Sequence, residues 1–277
     1  MYPSGTKISI PPKIADALIN TSSLILAFLI IFSIFTCLVS FTLSITSSIK
    51  KEDEIKEINV KNNYKNLTIN LRTTSLTIKK GEKFQVSSNN DKITIKQSGD
   101  SLTIKETKTN FNFKEKLELI IYIPDDYVFD DVSIENGAGK IDITELNSQE
   151  LSLELEAGST ILKNVNILKE TKIECGAGSF KILSGNINNL DLDLGVGKTS
   201  ISAKITGNSK IDSGIGSLDL NLDGIKSDYK LKLEKGLGSI TVDGASFNES
   251  LFGEGTNYID IDGGIGNINI AFKNEEI

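Results

Sequence analysis

Along residues 58–272 polar and apolar positions alternate with period two, the mark of strands that bury one face and solvate the other. Leu192 and Leu194 stand beside Asp191 and Asp193, Leu218, Leu220 and Leu222 are separated by Asp219 and Asn221, and Ile268 and Ile270 flank Asn269. One stretch breaks this pattern. Leu24–Ile45 reads LILAFLIIFSIFTCLVSFTLSI, 22 residues without a charge. A helix of that length rises about 33 Å, enough for a hydrocarbon core of roughly 30 Å. It exceeds a signal-peptide core of ~7–15 residues, and no small-x-small cleavage site follows it. Ile34, Phe35 and Thr36 before Cys37 lack the small residues of a lipoprotein site. The expectation is an uncleaved single-pass transmembrane helix over 24–45, with the lipid bilayer as its partner. Before it lies an N-terminal tail, 1–23, where Pro11-Pro12 suits a helix start, and after it a charged juncture, 46–57.

From Val132 onward an alternating strand, a Gly-x-Gly turn and another alternating strand recur. The turns are Gly137-Ala138-Gly139, Gly176-Ala177-Gly178, Gly195-Val196-Gly197, Gly214-Ile215-Gly216, Gly236-Leu237-Gly238 and Gly264-Ile265-Gly266, with a degenerate copy at Glu156-Ala157-Gly158. Their first positions are spaced by 19, 20, 19, 19, 22 and 28 residues. A near-constant period of that size means stacked structural repeats. It fits coils of two or three short strands at ~3.3 Å per residue, stacked ~4.8 Å apart. The fold class expected is therefore all-β, a single-stranded β-solenoid preceded by one transmembrane helix. The two longer intervals require loops, near 225–228 and 247–256. Residues 58–131 read as opening coils, with a separate small β-domain as the alternative; 132–272 are the Gly-x-Gly repeats and 273–277 a charged tail that discourages end-to-end stacking. The turns' middle residues, Ala138, Ala157, Ala177, Val196, Ile215, Leu237 and Ile265, are all apolar and grow along the chain. They are expected to form one inward-pointing core column.

Composition removes much chemistry. The chain of 277 residues has no histidine and no tryptophan. Without histidine there is no Ser-His-Asp or Cys-His nucleophile and no His-containing zinc site, and two cysteines cannot make a four-cysteine one. Cys37 lies in the apolar run and Cys175 in a strand beside Ile173, so a disulfide between them is not expected and Cys175 reads as a buried structural thiol. Net charge is −7; leaving out residues 1–49 drops Lys7, Lys13 and Asp16, leaving 28 basic and 36 acidic residues with Arg72 the only arginine. Such a domain lacks the footprint for phosphate backbones, so no nucleic acid partner is expected.

The remaining motifs favour ordinary solenoid chemistry. Each Gly-x-Gly leads into a strand, whereas a nucleotide site needs G-x-G-x-x-G opening a helix. Gly263-Gly264-Ile265-Gly266-Asn267 is similar to a calcium-binding β-roll, but it occurs once and the other turns lack the aspartate. Asp125-Asp126 and Asp130-Asp131 read as a solvated turn before a weak calcium site. Asp191 with Asp193 has the residue types of glycoside cleavage, yet acids at alternate positions mark any solvated strand face. No catalytic, cofactor or metal residue is assigned.

A strand ending in Tyr122-Ile123-Pro124, followed by ENGAGKIDI (135–143) and serial Gly-x-Gly strands, resembles the bacterial putative-adhesin domain family of unknown function, over roughly residues 58–272. The resemblance implies a β-solenoid in cell-envelope proteins, often anchored in the membrane and sometimes linked to envelope stress, with no catalytic residues to carry over. The function expected is a non-enzymatic membrane-anchored envelope protein presenting a surface for adhesion or for protein or cell-wall contacts. A membrane-tethered regulator of an envelope-stress response is the alternative, and a polysaccharide-active enzyme a third reading. Lys7 and Lys13 against Lys50, Lys51 and Lys56 place the large domain inside by the positive-inside count, but long domains translocate largely regardless of charge. An extracytoplasmic, monomeric solenoid is expected.

Overall fold

The structure, a computed structural model, describes residues 55–61, 63–107 and 116–273. The span over 24–45, the tail 1–23 and residues 274–277 lie outside them. Among the described residues no helix is long and apolar enough to cross a membrane. Nineteen strands of the described residues join one sheet. The first seven are β1 (Lys56–Ile58), β2 (Asn66–Leu71), β3 (Ser75–Lys80), β4 (Gln85–Ser88), β5 (Ile93–Ser98), β6 (Ser101–Glu106) and β7 (Glu118–Ile123). The middle is built from β8 (Val128–Ile143), β9 (Leu146–Leu162), β10 (Val165–Ile182), β11 (Gly185–Asn188), β12 (Leu190–Thr206) and β13 (Asn208–Leu222). The last six are β14 (Tyr229–Glu234), β15 (Leu237–Val242), β16 (Ala245–Ser246), β17 (Leu251–Phe252), β18 (Asn257–Asp262) and β19 (Ile265–Phe272).

The long strands bend at their Gly-x-Gly corners and pair in parallel with the coils on either side. Because coils stack in register, each apolar alternation position becomes an interior column. Ile173, Leu192, Ile211, Ile261 and Leu233 stack before the corner, and Phe180, Thr199, Leu218, Ile268 and Ile240 after it. All ten are buried. Each buried aliphatic or aromatic side chain contributes roughly 1.5–3 kcal/mol, so these columns supply most of the cohesion between coils. On a further face, outside the core, Asn186 Nδ2 donates to Asn166 Oδ1 at 2.8 Å and Asn166 Nδ2 to Asn147 Oδ1 at 2.9 Å, an amide ladder at coil spacing.

Coil order in space departs from chain order at both ends. The β2–β3 coil is flanked by β6 and β7 on one side and by β8 on the other, all parallel. The chain thus runs outward, caps itself with antiparallel β5 on β6 and β4 on β7, and returns to the inner side. At the other end β18 and β19 insert between β13 and the β14–β15 coil. The strand that leads into the 273–277 tail, β19, is therefore not in the terminal coil, as discouraging end-to-end stacking would require: Tyr229–Val242 is outermost. The chain goes out between β13 and β14, within the 22-residue interval, and the 28-residue interval before Gly264 supplies the residues for antiparallel β16 and β17 and for the return.

Each end is closed by aromatic packing. Tyr64, Phe84, Tyr127 and Phe129 plug the first, with centroids 4.8–6.4 Å apart, and Tyr229, Phe247, Phe252 and Phe272 the second, at 5.5–5.9 Å. At the first end the corner place is taken by Arg72-Thr73-Thr74. Buried Glu106 accepts their three amide hydrogens, at 2.7, 3.0 and 3.2 Å. Burial raises the carboxyl's pKa, but those amides together outweigh it and hold the group below the usual carboxylate range.

Candidate functional site

The corners make a regular feature of the surface. Ala138, Ala157, Ala177, Val196, Ile215, Ile265 and Leu237 stand in one column, each paired in register with the next. The stacking expected from the sequence is present, but its direction is the reverse: all seven side chains point to solvent. Val196 is 55% exposed, Ile215 51%, Ile265 50% and Leu237 73%.

The cause is a slip in the alternation. Leu194 and Thr199 both face inward, five residues apart, so period two cannot hold through Gly195–Lys198. The slip falls at the first glycine, between inward Leu194 and outward Val196, and the second glycine of each corner adopts a positive φ, +155° at Gly197 and +145° at Gly216. There the coils approach so closely that a Cβ on Gly216 would lie 2.8 Å from the carbonyl carbon of Gly197 and closer still to its oxygen. With backbone filling the apex, the middle side chain has no interior to enter.

Two glycine columns therefore border an apolar ridge without side chains of their own, interrupted at Glu156. Beyond the first runs a column of carboxylates, one per coil: Glu135, Glu154, Glu174, Asp193, Asp212, Asp262 and Glu234. No lysine stands in it. Like charges directly across neighbouring strands repel, and partial relief comes from the column two residues earlier. There Lys172, Lys210 and Lys232 pair with Glu174, Asp212 and Glu234 at 2.6–2.7 Å, and Lys232 also reaches Asp260 at 3.1 Å. The hydrogen bond each of these lysines donates to its carboxylate partner raises its pKa. The two columns together hold nine carboxylates and three lysines. The opposite flank of the ridge is mostly neutral, reading Lys140, Ser159, Ser179, Lys198, Ser217, Asn267 and Ser239.

The acidic column escaped the sequence reading, although its signal is simple: a carboxylate lies three residues before every middle residue of a turn. Asp191 and Asp193 fall in adjacent columns of this face, Asp191 between Lys172 and Lys210. Cys175 is half-buried in the coil interior, and burial, helped by the charge of Asp193, pushes its thiol up to about 12. Asp125 pairs with Lys80, and Tyr127 N–H donates to Pro124 O at 3.1 Å, which makes that segment a solvated turn. Among the described residues no group of three or more cysteine, aspartate and glutamate side chains is placed to hold a metal ion.

The model of the Toastrack DUF4097 family matches residues 52–274. No curated protein sequence matches the chain. Among solved structures, a "putative cell adhesion protein" from Clostridium sporogenes is 19% identical, covering 79% of this chain and 98% of its own, with a TM-score of 0.37. A "putative adhesin" from Bacteroides fragilis is 14% identical over 78% of this chain and 96% of its own, with a TM-score of 0.38. A "putative lipid binding protein" from Parabacteroides distasonis is 14% identical over 80% of this chain and 96% of its own, with a TM-score of 0.34.

Proposed function

The chain belongs to the Toastrack DUF4097 family, and on that premise we propose that it is a non-enzymatic, membrane-anchored envelope protein whose solenoid presents a surface for protein or cell-wall contacts outside the cytoplasm. The observation that carries this reading is the exposed corner. Apolar side chains stand in solvent on seven consecutive coils, large ones on four of them, beside an unbroken carboxylate column, an arrangement that costs solvation and repulsion unless a partner uses it. The anchor rests on Leu24–Ile45, whose 22 uncharged residues are long enough to span a bilayer.

The test is topology. Asn248 is exposed in the loop between β16 and β17. In a Cys175→Ser background, Asn248→Cys is treated on intact cells with a membrane-impermeant maleimide, the same background without the new cysteine serving as control. Labelling without lysis is the expected result. Labelling only after lysis removes adhesion and cell-wall contact, and leaves a membrane-tethered regulator acting inside the cell.

A further inference from the structure

We propose that the ridge formed by Val196, Ile215, Ile265 and Leu237, with the carboxylate column beside it, docks a basic amphipathic α-helix of a partner protein. The inference rests on the interaction-surface reading above and adds the chemistry of the partner.

The four residues are the large members of the column, and all are half or more exposed. Three steps of ~4.8 Å make their row about 14 Å long, the length of roughly ten helical residues. Apolar side chains on one helix face recur every ~5.4 Å, close to the coil spacing, whereas those on one face of an extended strand recur every ~6.8 Å and fall out of step. The glycine columns beside the ridge carry no side chains, so a cylinder can settle against the apolar row from either flank.

Charge decides the orientation and the partner. Asp193, Asp212, Asp262 and Glu234 run parallel to the row on one side. The other side at the same coils holds Lys198, Ser217, Asn267 and Ser239. A helix bearing leucine-type residues on one stripe and lysine or arginine on the adjoining stripe satisfies both, and only with its basic side over the carboxylates. An anionic membrane surface meets repulsion here, and a second copy brings the same excess of carboxylates.

The probe is a fluorescein-labelled synthetic 18-residue Leu/Lys amphipathic helix, titrated into the full-length protein in nanodiscs of neutral phosphatidylcholine and read by anisotropy. Controls are a peptide of identical composition scrambled to abolish the apolar stripe and a Leu/Glu version. We expect the amphipathic peptide to bind at least about tenfold more tightly than the scrambled one, and Ile215→Ser with Leu237→Ser to remove that margin, as loss of central apolar anchors does. Asp212→Lys with Asp262→Lys should weaken binding and flatten its salt dependence. Since all four positions have outward side chains, an unchanged circular dichroism spectrum certifies the fold of each variant.

Equal binding of the scrambled peptide, or full binding by the Ile215→Ser, Leu237→Ser variant, overturns the proposal. So does a dimer in light scattering that the same variant dissociates, since the ridge then belongs to a second copy. Maleimide labelling separates the two readings: peptide docking with a cytoplasmic domain sinks adhesion alone, and failed docking with an external domain sinks the helix alone.

Discussion

Replacing Gly216 with alanine tests the geometry of the corner most directly. The added Cβ would lie 2.8 Å from the carbonyl carbon and 3.2 Å from the amide nitrogen of Gly197, with the oxygen nearer still. Those atoms belong to the hydrogen-bonded backbone of the next coil and cannot rotate away. The residue also sits at φ +145°, a region essentially reserved for glycine. Holding a side chain there costs about 1–3 kcal/mol, and forcing extra volume into a packed site about 1–3 kcal/mol more. The sum is roughly 2–6 kcal/mol. The neighbouring change Ile215→Ala removes a side chain that is already 51% exposed. Full burial of isoleucine is worth about 1.5–3 kcal/mol, so the loss should be near 1 kcal/mol. Urea denaturation followed by far-UV circular dichroism compares the two. With a slope of roughly 2–3 kcal/mol/M, Gly216→Ala should lower the midpoint by about 0.7–3 M and Ile215→Ala by less than about 0.5 M. Equal effects, or a larger loss for Ile215→Ala, would show that the corner side chain lies in the core and refute the outward column.

Other outcomes follow from the ends and the interior. Glu106→Gln places an amide group among three amide donors, and thermal or urea unfolding should report a loss of about 2–3 kcal/mol at neutral pH, the scale of a hydrogen bond to a charged group. The folded-state pKa of Glu106 is lowered, so its contribution is complete above the unfolded value near ~4.3 and disappears as pH falls through the folded value. The gap between wild type and Glu106→Gln should therefore narrow on acidification below about pH 4, and a gap independent of pH would contradict the amide cradle. In a Cys37→Ser background, Cys175, whose thiol is pushed up to about 12, should react with a disulfide reagent at pH 8 on the order of a thousandfold more slowly than a free thiol. Rapid reaction in the native state would place it at the surface.

How much was legible without coordinates depends on the range of the interaction. The strands, the corners and the identity of the buried alternating residues follow from local rules. Leu192, Leu218 and Ile268 are buried because period two leaves them no other face once Asp191, Asp219 and Asn269 take the solvent. The spacing of 19 or 20 residues already required coils in register, and with it the stacking of Ala138 through Leu237. Which way that column points was not local. It depends on how closely one coil's glycine carbonyl approaches the next coil's Cα at Gly197 and Gly216, and that distance closes the apex and turns the side chain outward. The insertion of Asn257–Phe272 between β13 and the Tyr229–Val242 coil was likewise decided by tertiary structure, because a linear repeat names neighbours in sequence but not in space. Chain pattern determined the rungs and their contents; close packing between coils decided their order and left an apolar row standing beside a line of carboxylates.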